Sequence, residues 1–345
     1  MLTRGLLHRA HTTLAASRRL RMVCHGWVGS GRGSPLPPSG ARSFQVLSAA
    51  QHDAFDRDGF VIMRGLLSSA EVEVVKTAIE QDQSLAGGSD NAIELSDAAG
   101  GKTDLHLWSK PGSGTLGLLT RSQRVVGTMQ RLLAVGQEER ASAAGTEVLH
   151  YHSKTLRKDP EKGGVWNWHQ DYGYWYKDFF LAPHMATAWF AVDPSTRENG
   201  CLKVLKGSHT LGRLEHWAKG DQQGADEERV ALALERFDEV YCEMEAGDVC
   251  FFHALALHSS EGNFSKQRRL AFASAFTRAD NVQFKDAYIP CFPADAVPDA
   301  ALLNQSLAAP GGALLGDAGD RVMLGADIGK AAARKGEDYA DAIKQ

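Results

Sequence analysis

Two short segments of the chain carry side chains that could bind one metal ion together. In the first, His169 and Asp171 are separated by one residue within a stretch rich in Trp and Tyr. If this stretch is a β-strand, residues i and i+2 point to the same face, so an imidazole and a carboxylate could reach a single ion. The same pair also occurs on surface strands that bind no metal, so the prediction needs a third ligand.

The second segment supplies a candidate for that ligand. It runs from a Gly247-Asp248 turn through an apolar stretch, expected to be a buried strand over residues 248–257, and reaches His258. Two imidazoles and one carboxylate occupy one face of an octahedral ion and leave three positions for cosubstrate and oxygen. His253 is expected on the opposite strand face, with a structural role, and the alternative for His258 is a merely buried histidine.

An arginine follows at a spacing that suits anion binding. Arg269 lies 11 residues after His258, on what should be the next antiparallel strand. A guanidinium there could bind a carboxylate through two parallel hydrogen bonds. Arg268 competes for this role, but strand alternation lets only one of the two point inward, and the spacing favours Arg269.

Together these motifs resemble the phytanoyl-CoA dioxygenase family over roughly residues 46–280. The resemblance rests on ordered segments: Leu47 to Leu67, Trp168-His169-Gln170-Asp171, Glu198-Asn199-Gly200-Cys201-Leu202, Gly207-Ser208-His209, and His258 to Arg269. It implies a double-stranded β-helix core that uses iron(II), with 2-oxoglutarate and dioxygen as cosubstrates and ascorbate in a supporting role.

The resemblance also implies a role for each matching residue. His169, Asp171 and His258 match the iron ligands of the family. The residues that match its 2-oxoglutarate contacts are Arg269 for the distal carboxylate, Ser260 for a supporting hydroxyl, and Trp189 for the aromatic residue behind the cosubstrate.

Four further residues are candidates for substrate contacts. His152 and Lys154 lie where relatives place cosubstrate and substrate contacts, and with His150 they would share one face of a strand. Tyr174 and Trp175 follow the first iron-ligand motif. Such aromatic residues could line a substrate pocket or simply belong to the core.

The implied activity is hydroxylation of a C–H bond with release of succinate and carbon dioxide. The aromatic string from Trp168 to Tyr176 is similar to that of bacterial free-proline hydroxylases, so we predict a small polar metabolite, such as the amino acid proline, as substrate. One alternative is an acyl-CoA hydroxylase, whose phosphate-binding residues could be Lys154, Arg157, Lys158 and Lys162. The other is a cupin-like metal protein that is catalytically silent or does not use 2-oxoglutarate.

The elements that must position these residues are mainly β. From residue 146 onward, short β-like runs are separated by Gly, Pro, Asn and Asp. The runs are 147–156, 185–192, 201–205, 239–244, 248–257 and 268–277. Many short strands with turn residues between them predict a mainly β fold with flanking helices, built on a double-stranded β-helix (jelly-roll, cupin-like) core.

The remaining segments are predicted from helix signals and composition. The predicted elements before residue 146 are helices over 48–56, 69–83 and 121–135 and a strand over Phe60–Met63. Ser68 and Glu71 have the spacing of a capping box. The glycine-containing residues 84–104 are expected to form a loop, and residues 210–237 a charged, partly helical insert.

The N-terminal segment differs in composition from the rest. Residues 1–52 contain seven Arg, many Ser and Thr, and no Asp or Glu. This is typical of a mitochondrial transit peptide, with a disordered basic tail and a cytoplasmic location as the alternative. We predict a cleaved transit peptide and linker over 1–43, an oxygenase domain over 44–290, and a C-terminal extension of unclear structure over 291–345.

Composition excludes several classes of protein. The formal net charge is −4, and without the seven N-terminal arginines residues 44–345 carry −11. Such an acidic body argues against nucleic-acid binding. No apolar stretch approaches the roughly 18 residues of a transmembrane helix. Five cysteines without a C-x-x-C pair disfavour a zinc ribbon and a disulfide framework. A small-molecule substrate is the expected partner, and the sequence does not predict an oligomeric state.

Overall fold

The computed structural model describes residues 47–85, 93–97, 99–136, 146–219, 221–285 and 289–304. The predicted transit peptide and most of the predicted C-terminal extension lie outside these residues. No helix among the described residues is long and apolar enough to cross a membrane.

The described residues form seven α-helices and fourteen β-strands. The helices are α1 (Ala49–Asp58), α2 (Ser69–Gln81), α3 (Thr115–Thr120), α4 (Gln123–Leu132), α5 (Asp171–Trp175), α6 (Glu227–Leu234) and α7 (Ala301–Asn304). The strands are β1 (Phe60–Met63), β2 (Ile93–Ser96), β3 (Lys102–Trp108), β4 (Val148–Lys158), β5 (Trp166–His169), β6 (Met185–Ala191), β7 (Leu202–Leu205), β8 (His216–Lys219), β9 (Gln222–Ala225), β10 (Glu239–Cys242), β11 (Val249–His253), β12 (His258–Ser260), β13 (Arg269–Arg278) and β14 (Phe292–Pro293). Three short 3-10 helices cover Gln83–Leu85, Tyr176–Asp178 and Ser208–Leu211.

Two antiparallel sheets form the core. The larger has the strand order β1-β11-β6-β13-β4-β3-β2, with β14 also paired to β4, and the smaller has the order β10-β7-β12-β5. Side chains from both sheets meet in one buried cluster, where Trp189 and Phe252 of the large sheet pack with Leu202 and Val204 of the small one. This is the predicted mainly β, jelly-roll fold, and it is confirmed.

The large sheet is covered on both faces. Its outer face carries Phe190, Phe251, Phe272 and Phe276, which pack with apolar residues of α2, α3 and α4. Because the small sheet covers the inner face, all residues of β6 and β13 are buried. These strands therefore read as continuous apolar runs, which is typical of strands buried on both sides.

The inner face of β13 leaves space inside the core. Ala271 and Ala273 belong to the cluster between the two sheets, and Ala275 continues the same face. Since alanine presents only a methyl group at each of these positions, the interior beside β13 is not filled by its own strand.

The N-terminal predictions agree with the structure. The side chain of Ser48 caps α1, and Ser68 and Glu71 form the predicted capping box at α2. The strand at Phe60–Met63 is β1. Apart from residues 248–257, each predicted strand after residue 146 matches an observed strand to within two residues at either end.

The predicted loop over 84–104 is wrong in part, because β2 and the start of β3 lie there and pair as a hairpin. Asp97 closes the turn: its carboxylate accepts hydrogen bonds from the backbone N–H of Ala99 and of Gly101 (2.8–2.9 Å). Gly100 and Gly101, two of the glycines that suggested a loop, belong to this turn.

The predicted strand over 248–257 is wrong in part, because β11 covers only Val249–His253, in the large sheet. His258 does not end this strand but begins β12, in the small sheet. A turn over residues 254–257 carries the chain from one sheet to the other. His253 and His258 therefore lie on different sheets, and not on opposite faces of one strand.

A β-bulge overturns the prediction that His150, His152 and Lys154 share one strand face. The register between β13 and β4 shifts at Tyr151, which has no partner on β13. His150 therefore turns to the outer side of the sheet, where its ring meets Phe276 at 5.8 Å. His152 and Lys154 remain on the inner face, because an extra residue reverses the alternation only on one side of it.

The insert over 210–237 is partly helical, as predicted, through α6. It also contains an unpredicted hairpin of β8 and β9. Apolar residues of the hairpin and of α6 pack with Leu205 and Leu257, so the insert covers the outer face of the small sheet.

The packing of α2 against α4 depends on a buried ion pair. Glu71, which caps α2, also accepts hydrogen bonds from the Arg124 guanidinium, and both side chains are about one-tenth exposed. Arg124 in turn donates to the carbonyl oxygen of Leu66 (2.9 Å). One carboxylate thus connects a helix start, a second helix and a loop.

We expect Glu71→Ala to lower the free energy of unfolding by about 3–5 kcal/mol, because it leaves the buried Arg124 guanidinium with only the more distant Asp299 carboxylate, at 3.7 Å. Chemical denaturation would measure the loss. Glu73→Ala, on the exposed face of the same helix, is the matched control and should change stability by less than about 0.5 kcal/mol. Equal losses in the two variants would contradict the role of the ion pair.

Candidate metal centre

The three predicted ligands converge in the structure. His169, at the end of β5, pairs directly opposite His258 on β12, and their ring centroids lie 4.0 Å apart. Asp171 was predicted to lie on the same strand as His169, but it is the first residue of α5. Its Oδ1 is nonetheless 3.8 Å from Nε2 of each histidine.

Backbone carbonyl groups fix the orientation of both imidazoles. Nδ1 of His169 donates to the carbonyl oxygen of Asn167 (2.7 Å), and Nδ1 of His258 donates to that of Ala256 (2.9 Å). A carbonyl oxygen can only accept, so Nδ1 carries the proton in each ring. Each Nε2 therefore presents its lone pair toward Asp171, as a metal ligand requires.

The electrostatics of the site favour the metal-binding protonation states. Burial lowers the pKa of both histidines, which keeps them neutral. Burial alone would raise the pKa of Asp171, but the nearby charge of Lys154 and the hydrogen bond from the Thr187 hydroxyl (2.8 Å) help to hold it below its usual value. Neutral imidazoles and an ionised carboxylate are the forms that bind metals.

This donor set fits iron(II). Ligand atoms of His169, Asp171 and His258 all lie within 4.8 Å of one another, and no other such group of His, Cys, Asp or Glu is found among the described residues. Three ligands on one side leave the remaining positions of an octahedral ion open, which is the arrangement of non-haem iron oxygenases.

A pocket that opens to solvent adjoins the candidate metal centre, and the space inside it and at its mouth amounts to about 460 Å³. Its lining residues are Lys154, Leu156, Trp166, His169, Trp189, Leu202, Phe252, His258, Ser259, Ser260 and Arg269. The predicted cosubstrate residues Arg269, Ser260 and Trp189 thus share one pocket with both histidine ligands.

Arg269 points into this pocket, whereas Arg268 forms ion pairs with Asp193 and Glu80 outside it. The Arg269 guanidinium lies 5.5 Å from the ring centre of Trp189, and its Nε is buried with no hydrogen-bond partner among the described residues. Burial lowers the pKa of Arg269 to about 10, so the group stays charged at neutral pH. A buried, unsatisfied cation of this kind fits an anionic ligand.

Lys158 is a second buried basic side chain, which the sequence analysis considered only as part of a phosphate-binding group for an acyl-CoA. It lies opposite Arg269 in the β4–β13 pairing, and its Nζ donates to the Ser260 hydroxyl (2.7 Å) and to the carbonyl oxygen of Glu261. Burial and the charge of Arg269 lower its pKa well below the usual value. Strand alternation from Lys154 through Leu156 was the signal that could have found it.

Thr187 was also missed, although it lies two residues before Trp189 on the inner face of β6. Its hydroxyl donates a hydrogen bond to Oδ2 of Asp171, the carboxylate oxygen that faces away from the two histidines. Hydrogen bonds of this kind orient metal ligands.

The four candidate substrate residues do not all face the pocket. Lys154 lines it. His152 is buried next to Trp175, with ring centres 5.6 Å apart, and its Nδ1 has no hydrogen-bond partner among the described residues. Tyr174 packs against His169 at 5.4 Å, and its hydroxyl donates to the carbonyl oxygen of Gln223 (2.6 Å), away from the pocket.

Comparisons with known proteins agree with this geometry. The sequence model of the family described as phytanoyl-CoA dioxygenase (PhyH) matches residues 55–271. An L-proline trans-4-hydroxylase from Streptomyces griseoviridis is 30% identical over 179 residues, which cover 47% of this chain and 63% of that protein. A phytanoyl-CoA dioxygenase from Arabidopsis thaliana is 33% identical over 139 residues, which cover 40% and 47% of the two chains. The matches thus span less than two thirds of either relative.

Solved structures show the same fold. EctD from S. alaskensis with bound Fe superposes with a TM-score of 0.56 at 23% identity, covering 72% of this chain and 82% of EctD. EctD with 2-oxoglutarate and 5-hydroxyectoine gives a TM-score of 0.57 at 21% identity, covering 81% and 90%.

Metal binding should be visible as thermal stabilisation. Fe(II), added anaerobically at about 100 times its dissociation constant, would stabilise the protein by about 2.7 kcal/mol. For a domain of this size, that raises Tm by about 5–10 °C. His258→Ala should lose the shift, while His253→Ala should keep it, because His253 lies on the other sheet. A shift of equal size in His258→Ala would place the ion elsewhere.

Proposed function

The chain belongs to the phytanoyl-CoA dioxygenase family, and from that premise we propose that it hydroxylates a small, carboxylate-bearing metabolite, such as a free amino acid, using iron(II) and 2-oxoglutarate. The class predicted from the sequence, a 2-oxoglutarate-dependent dioxygenase, is that of the family. The match to residues 55–271 falls within the predicted oxygenase domain. The mitochondrial location remains a proposal that rests on residues 1–43.

One observation carries this proposal: the candidate metal centre and an unpaired buried arginine share one pocket. 2-Oxoglutarate is a dicarboxylate with a keto group next to one of its carboxylates. The keto end suits a metal ion at His169, Asp171 and His258, and the other carboxylate suits Arg269, since guanidinium binds carboxylate bidentately. Ser260, held by Lys158, adds a hydroxyl at the same end of the pocket.

Iron(II) and 2-oxoglutarate bound there would supply, with dioxygen, the oxidising power for hydroxylation: one oxygen atom enters the C–H bond and the other enters succinate, with release of carbon dioxide. The protein contributes position and environment. Arg269 fixes the cosubstrate carboxylate, and Thr187 fixes the Asp171 carboxylate. Trp189 and Phe252 line the pocket with apolar surface, which limits access of water.

The charge at the metal end of the pocket supports an anionic substrate. Lys154 lines the pocket and lies close enough to lower the pKa of Asp171. His152, on the same strand face, is neutral because burial lowers its pKa to about 3, so it adds no charge that would compete with Lys154 for an anion. The L-proline trans-4-hydroxylase among the relatives also favours an amino acid.

The acyl-CoA alternative receives less support from the structure. Of the four basic residues that could bind its phosphates, Lys154 and Lys158 lie on the inner face of β4, while Arg157 pairs with Asp159 on the outer side and Lys162 is exposed. They therefore do not form one basic patch. The intact donor set argues against a catalytically silent protein.

A turnover assay tests the proposed class and substrate together. Full-length protein with Fe(II), ascorbate, 2-oxoglutarate and dioxygen would be given free amino acids and acyl-CoAs one at a time. We expect succinate formation to rise with one amino acid and to fall to background in His169→Ala, because the metal loses a ligand. Stimulation by acyl-CoAs alone would refute the substrate class, and no succinate above the variant at stoichiometric iron would refute the activity.

The role of Lys154 can be separated from that of the cosubstrate residues. If Lys154 binds the substrate carboxylate, Lys154→Met should raise KM for the amino acid about 10–100-fold, as expected for loss of a charged hydrogen bond, and change KM for 2-oxoglutarate little. Lys162→Met, at an exposed position, is the control. A rise confined to KM for 2-oxoglutarate would assign Lys154 to the cosubstrate instead.

A further inference from the structure

We infer that the hairpin of β8 and β9 positions the metal ligands, and that His216 is its main positioning residue. This inference rests on the proposed function, because it concerns the same metal centre. The hairpin belongs to the insert over 210–237, which the sequence analysis could only describe as charged and partly helical. None of the hairpin residues that the structure describes lines the pocket.

The ligand strand needs support along its outer edge. β5, which ends at His169, is the edge strand of the small sheet. Gln222 of β9 covers that edge: its side-chain amide donates to the carbonyl oxygen of Val165 (2.9 Å) and accepts from the N–H of Asn167 (3.1 Å). A side chain therefore takes the place of a neighbouring strand, which satisfies exposed backbone groups of the edge.

His216 holds the backbone between two ligands. The N–H of Gln170, the residue between His169 and Asp171, donates to Nε2 of His216 (2.9 Å). Nδ1 of His216 donates to the carbonyl oxygen of Leu214 (2.9 Å), which leaves Nε2 as the acceptor. The imidazole is buried, so this hydrogen bond is protected from water.

The first turn of α5 packs against the imidazole ring of His216. The ring lies so close to Gly173 that a methyl group there would overlap with it. Tyr174 is packed between His169 (5.4 Å) and His216 (5.6 Å), and it donates its hydroxyl to the hairpin at Gln223. Since α5 begins at Asp171, contacts with the hairpin set where that carboxylate lies.

The side chain of Gln170 connects the second ligand segment to this arrangement. Its amide nitrogen donates to the carbonyl oxygen of Leu255 (2.9 Å), in the turn before His258, and to that of Gly212 (2.8 Å). Its amide oxygen accepts from the N–H of Leu214 (2.7 Å). The two ligand segments and the start of the insert are thus fixed relative to one another.

These contacts distinguish a hairpin that positions the metal ligands from one that only covers the small sheet. A segment that only covered the small sheet would need the apolar contacts around Leu205 and Leu257. Gln222 and His216 instead accept hydrogen bonds from the backbone N–H groups around His169 and Asp171. Ligands must be held to within about 0.5 Å of the productive geometry. Loss of these hydrogen bonds should therefore affect metal binding more than folding.

A double-mutant cycle on the full-length protein tests the inference. His216→Ala removes the acceptor, and Gly173→Ala pushes the first turn of α5 away from the ring. We expect each to weaken Fe(II) binding about 10–100-fold, as is typical for residues that orient ligands. The double variant should bind no more weakly than His216→Ala alone, because removing the ring makes room for the methyl group.

The readouts are the Fe(II) dissociation constant from anaerobic titration calorimetry, the charge-transfer absorption of the anaerobic Fe(II)–2-oxoglutarate complex, and Tm. His216→Gln, which restores an acceptor, should recover most of the affinity. His209→Ala is the matched control, since His209 lies in the same part of the chain but bonds the carbonyl oxygen of Asp56. It should change Tm without changing Fe(II) affinity.

The outcomes separate this inference from the proposed function. Variants that bind Fe(II) as wild type does while Tm falls would overturn the positioning role and leave the proposed function intact. Additive losses in the double variant would also overturn it, because the ring and the methyl group would then act independently. Absence of Fe(II) binding by the wild type would overturn the proposed function and this inference together.

Discussion

The structure depends on holding two imidazoles and one carboxylate close together in a buried place. Nε2 of each histidine lies 3.8 Å from the Asp171 oxygen, and all three residues are at most 4% exposed. Burying an ionised carboxylate is costly unless other groups compensate. Here the Thr187 hydroxyl and the charge of Lys154 provide that compensation. The neighbouring elements position these three side chains or stabilise their charge.

The two sheets contribute in different ways to holding the two imidazoles and the carboxylate together. The large sheet is packed on both faces, which makes β6 and β13 a rigid support, and the alanines on the inner face of β13 leave the space that the pocket uses. The small sheet carries both histidines on paired strands, so a single ladder sets the distance between them. The turn over 254–257 joins the sheets and brings His258 within reach of residues that lie far away in sequence.

Positive charge lies along the inner face of β4 and at the start of β13. Lys154 lies at the metal end of the pocket and Arg269 at the other end, with Lys158 opposite Arg269 in the strand pairing but outside the pocket lining. Burial and the charge of Arg269 lower the pKa of Lys158, so an anion beside Arg269 would favour the protonated form of both side chains. This pattern suits two anionic groups, a cosubstrate carboxylate at Arg269 and a substrate carboxylate near Lys154. It also explains why the inner face holds basic residues among alanines and aromatic side chains.

The sequence alone predicted the three candidate ligands that the structure brings together, the inward position of Arg269 rather than Arg268, the capping box at α2 and most strand positions. These features depend on residue chemistry and on spacing within one segment. Only the tertiary structure decided that Asp171 starts a helix, that β11 and β12 belong to different sheets, and that Tyr151 forms a bulge. It also decided that Lys158 faces Arg269 and that His216 supports the ligand turn. The physical reason is that each of these depends on the register or packing of segments distant in sequence, which local periodicity does not contain.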